Sequence, residues 1–117
     1  MVDRSTIYHR GVGVRDLGKM MKQVQKIQQD AARIQEELRL ERVEATAGGG
    51  VVKAVVNGHG EVLAVTLDPA VVDPTDVAML QDLIVAAVSE AQREAKQLSE
   101  RRMKDLAGGL GIPPGLV

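Results

Sequence analysis

RVEATAGGGVVKAVVNGHGEVLAVTL, Arg42 to Leu67, decides how the rest of the chain is read. β-branched residues fill three short runs, while Gly48-Gly49-Gly50 and Asn57-Gly58-His59-Gly60 fill the breaks between them with residues suited to turns. That pattern predicts a three-stranded antiparallel meander. Strict alternation places Val52, Ala54 and Val56 on one face and Val51, Lys53 and Val55 on the other. It splits the next run into Val62, Ala64, Thr66 against Leu63, Val65, Leu67. Both faces are then rather apolar, and a sheet of this size has two open edges. Something has to cover a face and something has to occupy an edge. On this pattern Val55 and Val65 are expected to be buried.

The two flanks supply the cover. From about Arg15 to Glu41, Leu17, Met20, Val24, Ile27, Ala31, Ile34 and Leu38 recur at intervals of 3 or 4, a heptad-like seam on one long helix. Such a helix is about 40 Å long, so part of it must project beyond a strand of ordinary length. On its outer side Arg15, Lys19, Lys22, Lys26 and Arg33 form a basic stripe. Any exposed helix has a solvated charged face; this one is set apart because its first four stripe positions are all basic. After the meander, Asp73-Pro74-Thr75-Asp76 reads as a helix start, with Asp73 as cap and Pro74 in the first helical position. A second seam follows at Val77, Leu80, Ile84, Ala87, Ala91 and Leu98, broadened by Leu83 and Val88, and runs to about Leu106. Its polar second half carries Arg93, Lys96, Arg101, Arg102 and Lys104. If the helices pack antiparallel, the basic start of the first and the basic end of the second are expected to meet in space.

The reading is therefore a single α+β domain over residues 15–107: long helix, three-stranded antiparallel meander, long helix. Residues 1–14 read as a flexible N-terminal arm and residues 108–117 as a loose tail, since the Gly and Pro content of each interrupts regular structure. With one Tyr and no Phe or Trp among 117 residues, the core is built from aliphatic side chains. A small core of that kind is thin, which points to a homodimer. There is no Cys, so disulfides, thiolate chemistry and cysteine zinc sites are excluded. No apolar run approaches a membrane span and no signal-peptide core is present, so the expectation is a cytoplasmic protein with no membrane partner.

Net charge is −1, but it is divided along the chain. Residues 1–42 hold nine basic and six acidic side chains, residues 43–92 one and seven, and residues 93–117 five and three. Two basic ends flank an acidic middle, which leaves room for localised basic patches rather than a diffuse polycation. No catalytic constellation is present. His9 and His59 stand alone without metal-ligand spacing, the aspartates at Asp68, Asp73 and Asp76 match no calcium loop, and the glycine triplet lacks the lysine of a phosphate loop. No enzyme, cofactor, metal or small-molecule substrate is expected.

Four segments carry a resemblance: MMKQVQKIQQ (20–29), VEATAGGGVVKAVVNGHGEV (43–62), DPAVVDPTDVAMLQDLIVAAVSEA (68–91) and GGLGIPPGL (108–116). From about Leu17 to Gly115 the chain resembles the YbaB/EbfC nucleoid-associated proteins. The resemblance implies a homodimer with a sheet continuous across subunits and helical arms projecting from it. It also implies a nucleoid protein that binds double-stranded DNA with little sequence specificity, organising or compacting the chromosome and influencing transcription. Residues before Leu17 extend beyond the usual family pattern, and nothing transfers to them. The DNA-contacting positions implied here are the basic ones on the helices: Arg15, Lys19, Lys22, Lys26, Arg33, Arg93, Lys96, Arg101, Arg102 and Lys104. Lysine and arginine on projecting helices bind phosphates without reading bases, and the lack of aromatic platforms favours duplex over single strands. The competing expectation is a dimeric protein-interaction scaffold whose basic stripe serves only solubility.

Overall fold

In the computed structural model, which describes residues 14–109, the order is helix α1 (Val14–Leu40), strands β1 (Val43–Ala47), β2 (Val52–Val56) and β3 (Val62–Leu67), then helix α2 (Val77–Gly109). The three strands form one antiparallel sheet with β2 in the centre. The arm expected over residues 1–14 lies, except for Val14, outside the described residues, as does all of the tail beyond Gly109. At the other boundary α2 continues through Gly108 to Gly109, two residues past the end that the sequence pattern gives the domain.

The β1–β2 connection is a tight turn at Gly48–Gly50, all three at positive φ (64°, 76° and 99°), a conformation that side-chain-bearing residues seldom adopt. The β2–β3 turn is organised by Asn57, 3% exposed, whose side-chain oxygen accepts from the amides of His59 and Glu61 at 3.0 Å each and whose amide nitrogen donates to Glu61 Oε1 at 3.0 Å. Buried with its bonds satisfied, the asparagine holds the turn in one shape.

The core lies on one face of the sheet. Ala45, Val52, Ala54 and Val56 pack with Val71 and with Ala87, Ala91 and Ala95 of α2. Alanine at each of these α2 positions lets the helix approach β1 and β2 closely, which suits a chain without large aromatic side chains. Ala95, absent from the expected seam, is fully buried, whereas Val77 at its start is 49% exposed. The alternation fails at one place in β3. A register irregularity between Val55 and Val56 pairs Val62 with Val56 and Ala64 with Val55. Val62 thus falls on the core side of the register while Ala64 and Thr66 fall on the other, so the three do not share a face as strict alternation requires.

Val55 is buried at 8% exposure as expected, but Val65 is not: it is 39% exposed, because α2 packs mainly over β1 and β2 and leaves β3 as an uncovered edge. The molecule measures 85 × 25 × 18 Å, with a radius of gyration of 23.7 Å. A compact chain of this length has about 13 Å. The elongation comes from the two long helices.

The start of α2 also differs from the sequence reading. Asp73 closes the preceding turn, its Oδ1 accepting from the Thr75 amide at 2.9 Å and the Thr75 hydroxyl at 2.8 Å, contacts that hold its carboxyl below the usual range. The helix begins at Val77, and its cap is Asp76, whose Oδ1 accepts from the Met79 amide at 3.2 Å. The segment offers two aspartates three residues apart; the carboxylate of Asp73 is taken up by Thr75, and that of Asp76 faces the first turn of the helix. Asp76→Ala is expected to cost about 1 kcal/mol, the usual worth of such a cap, lowering the melting temperature by roughly 5 °C in thermal circular dichroism.

Candidate nucleic-acid interface

α1 leaves the sheet as an arm, and its last turn is anchored by the β2–β3 turn. The helix end is closed locally by the Glu41 amide, 3.0 Å from Glu37 O and 3.2 Å from Leu38 O, and the turn adds two donors to it. Gly58 supplies its amide to Leu38 O at 2.7 Å, and the His59 ring donates from Nε2 to Gln35 O at 3.0 Å. Ile34 and Leu38 are buried there, at 5% and 0% exposure. Arg102 of α2 also holds the end of α1, 3.7 Å from Glu37 and 2.6 Å from Glu41, the residue after the helix.

That clasp fixes the register of the two antiparallel helices and corrects one expectation. With Arg102 beside residues 37 and 41, the end of α2 falls opposite about residue 32 of α1, given the helical rise. The basic start of α1 therefore does not meet the basic end of α2. Lys26 lies some 11 to 15 residues along α1 from the clasp, roughly 16–22 Å away, and Lys19 further still. The stripe stands on the part of α1 beyond the end of α2.

The ten basic positions sort into three groups. Lys19, Lys22 and Lys26 are exposed on one face of the projecting arm, and Lys96, Arg101 and Lys104 are exposed on α2. All six stand outside the ion pairs found among the described residues. Arg33, Arg93 and Arg102 are engaged with carboxylates: Arg33 with Glu37 at 2.8 Å and Asp30 at 4.0 Å, Arg93 with Glu90, and Arg102 with Glu37 and Glu41. The hydrogen bond from Arg93 lowers the Glu90 carboxyl's pKa and raises that of the guanidinium itself. Arg15 lies in the first turn of α1, and its side chain is outside the described residues.

The i,i+3 and i,i+4 spacings make the Arg33 and Arg93 pairs readable in the sequence, whereas the Arg102 clasp joins residues 61 apart and has no local signature. His59, set aside in the sequence as a turn residue, lines a shallow polar cleft with Gln92, Lys96 and Ser99. Its bond to Gln35 makes it part of the arm's anchor. Among the described residues no group of three His, Cys, Asp or Glu is placed to hold a metal ion, and no helix is long and apolar enough to cross a membrane.

Comparison with known proteins adds a family. Residues 13–110 match the YbaB/EbfC DNA-binding family. A nucleoid-associated protein of Pelotomaculum thermopropionicum is 52% identical over 98 residues, covering 84% of this chain and 93% of its own length. One from Syntrophobacter fumaroxidans is 54% identical over 100 residues, covering 82% and 91% respectively. The crystal structure of an uncharacterized protein from Helicobacter pylori superposes with a TM-score of 0.61 over 85% of this chain and 97% of that one. At 19% identity that likeness is one of fold.

Proposed function

The chain belongs to the YbaB/EbfC DNA-binding family, and from that premise we propose that it is a nucleoid protein that holds double-stranded DNA through phosphate contacts from its helices, with little regard to sequence. The observation that carries the reading is the lysine face of the projecting arm: Lys19, Lys22 and Lys26 are solvent-facing, free of the ion pairs seen among the described residues, and clear of α2. Lys96, Arg101 and Lys104 extend the set along α2. Arg33, Arg93 and Arg102 would have to give up a carboxylate to reach a phosphate and contribute less; Arg15 adds a charge at the start of the stripe. Contacts of this kind give affinity through counterion release and leave bases unread. Gel shifts on duplexes of unrelated sequence test the reading: they are expected to bind within a few-fold of one another and to weaken steeply with salt. Flat salt dependence would instead favour the protein-interaction scaffold.

The working unit in this reading is a homodimer built on β3. Its edge presents unpaired backbone groups beside Val62, Leu63 and Val65, which are 49%, 47% and 39% exposed. An exposed apolar edge is an association surface. A second copy adding its own β3 continues the sheet across both chains, gives two arms, and covers Val65, which a single chain leaves in water. Val65→Asp is therefore expected to leave the fold largely intact while halving the mass seen by light scattering at micromolar concentration, whereas Val55→Asp buries a carboxylate and unfolds the chain. A wild-type monomer at that concentration would remove the dimer from this reading. The two arms, set on one rigid sheet, suit chromosome organisation and compaction, with any effect on transcription following from occupancy of the DNA.

A further inference from the structure

Leu17, Met20, Met21 and Val24 on the projecting half of α1 are 52%, 54%, 60% and 52% exposed. They continue the seam that is half-buried at Ile27 and Ala31 and buried at Ile34 and Leu38, so one helix face is covered at its base and bare along the arm. A bare apolar stripe on an otherwise polar helix marks a contact surface. We propose that the α1 arm of a second copy of this chain, running antiparallel, covers it, and that this copy belongs to the neighbouring dimer on the same duplex. The last step rests on the homodimer and the DNA binding proposed above.

The arm itself selects that occupant. Leu17, Met20, Val24 and Ile27 keep the alternating spacing of 3 and 4 that a helix with the same spacing fills, knob into hole. Lys19, Lys22 and Lys26 each follow a seam residue by two positions, about 200° around the helix, so two arms can pair while every one of these lysines stays turned outward. Direction follows from the base of the arm. A parallel helix in register would have to continue over Ile34 and Leu38, where the face is already buried, whereas an antiparallel one carries its own base the other way. Centred between Met20 and Val24, antiparallel arms set Met20 against Val24, and Leu17 against Ile27, of the second copy. Asp16, the sole acid among residues 14–29, then lies level with Gln28 of the second copy, next to a Lys26 that stands outside the ion pairs among the described residues; the nearby Asp30 is offset by Arg33 at 4.0 Å. Size decides when the pairing forms. The bare patch offers at most about 800 Å² across two arms, below the roughly 1,200 Å² of a stable interface, so free dimers stay apart at micromolar concentration. Dimers held side by side on DNA meet at a far higher effective concentration, where the same contact is enough. Binding of one dimer thereby favours binding of the next.

The natural absence of cysteine makes a direct test available. In the antiparallel pair position 21 lies about 3 Å along the axis from its counterpart and position 17 about 15 Å, whereas in a parallel pair each position meets its own counterpart. Full-length Met21→Cys, oxidised mildly on a duplex of about 200 base pairs, is expected to run largely as a covalent pair of chains on a non-reducing denaturing gel. Leu17→Cys is expected to stay a single chain, and neither variant to pair without DNA. Pairing of Leu17→Cys, equal pairing of Met21→Cys with and without DNA, or no pairing of either would overturn the proposal. Met20→Gln/Val24→Gln supplies the second measurement, since both positions are exposed and glutamine suits a helix. On a duplex of about 25 base pairs, close to the 85 Å length of one chain, it is expected to bind within about twofold of the wild type. On the long duplex the Hill coefficient is expected to fall from about 2 to about 1. A wild type without cooperativity on the long duplex, or a double variant that loses as much affinity on the short duplex as on the long one, would also overturn it. Wild-type binding to the short duplex reads the proposed function alone, so failure there is separable from failure of the pairing.

Discussion

Gly58→Ala is expected to lower the melting temperature by roughly 10–25 °C, the shift corresponding to about 2–4 kcal/mol in a domain of this size. A Cβ built on Gly58 would stand 2.6 Å from Leu38 O and 2.8 Å from both Leu38 Cβ and Leu38 Cδ2. The nearest of these is a backbone oxygen inside α1, so no side-chain rotation relieves the contact. The turn must move away from the helix, and moving it lengthens the 2.7 Å bond from the Gly58 amide to the same oxygen. Leu38 O then keeps only its bond from the Glu41 amide at 3.2 Å, and the His59 bond to Gln35 O, which depends on the same approach, is lost with it. Gly60→Ala separates clash from backbone strain. Gly60 sits at φ +80° with its nearest outside neighbour, Gln92 Cγ, at 3.8 Å, so its replacement costs only the left-handed conformation, about 1–2 kcal/mol. Thermal melts of the two variants should differ in that order. Equal melting temperatures would mean that α1 yields freely at Leu38 and that the turn is no anchor.

The order of elements was readable in the sequence because each has a local signal. The heptad spacing of Leu17 to Leu38 gives α1 to within a residue at each end, and the Gly48 and Asn57 breaks mark the two hairpin turns. Three other features depend on contacts between residues far apart in sequence. The β3 register turns on an irregularity opposite Val55 and Val56, and a single displaced pairing reverses which face Val62 occupies. Val65 has the same local pattern as Val55, yet one is in the central region of the sheet and the other on its edge; strand order, not alternation, decides their burial. The separation of the basic groups follows from the Arg102 clasp to Glu41 and Glu37, three charges that simple counting treats as independent. In each case local pattern gave the element, and packing chose the neighbour.

Replacing Lys19, Lys22 and Lys26 together by Gln is expected to weaken duplex binding about a hundredfold at roughly 0.15 M salt, with stability nearly unchanged. The argument starts from the proposed phosphate contacts. If about 6 charges of the dimer meet phosphates at once, and about half of those contacts come from the arm lysines of its two chains, log K falls with log salt at a slope of about −5, and losing the arm contacts brings the slope to about −3. The loss in affinity follows from the counterions no longer released, and it should be the same for duplexes of unrelated sequence. Little stability is at risk. The three lysines are exposed, they stand outside the ion pairs among the described residues, and glutamine is nearly as good a helix former as lysine. Arg102→Gln is the informative contrast. It removes one positive charge too, but that charge is held by Glu41 at 2.6 Å, and its loss unclasps the two helices. Its expected signature is a lower melting temperature with a salt slope close to that of the wild type. A triple variant that keeps the full slope would leave the arm's lysines as a solvated face and move the DNA contacts to α2. A triple variant that loses affinity for only some duplexes would mean that bases are being read.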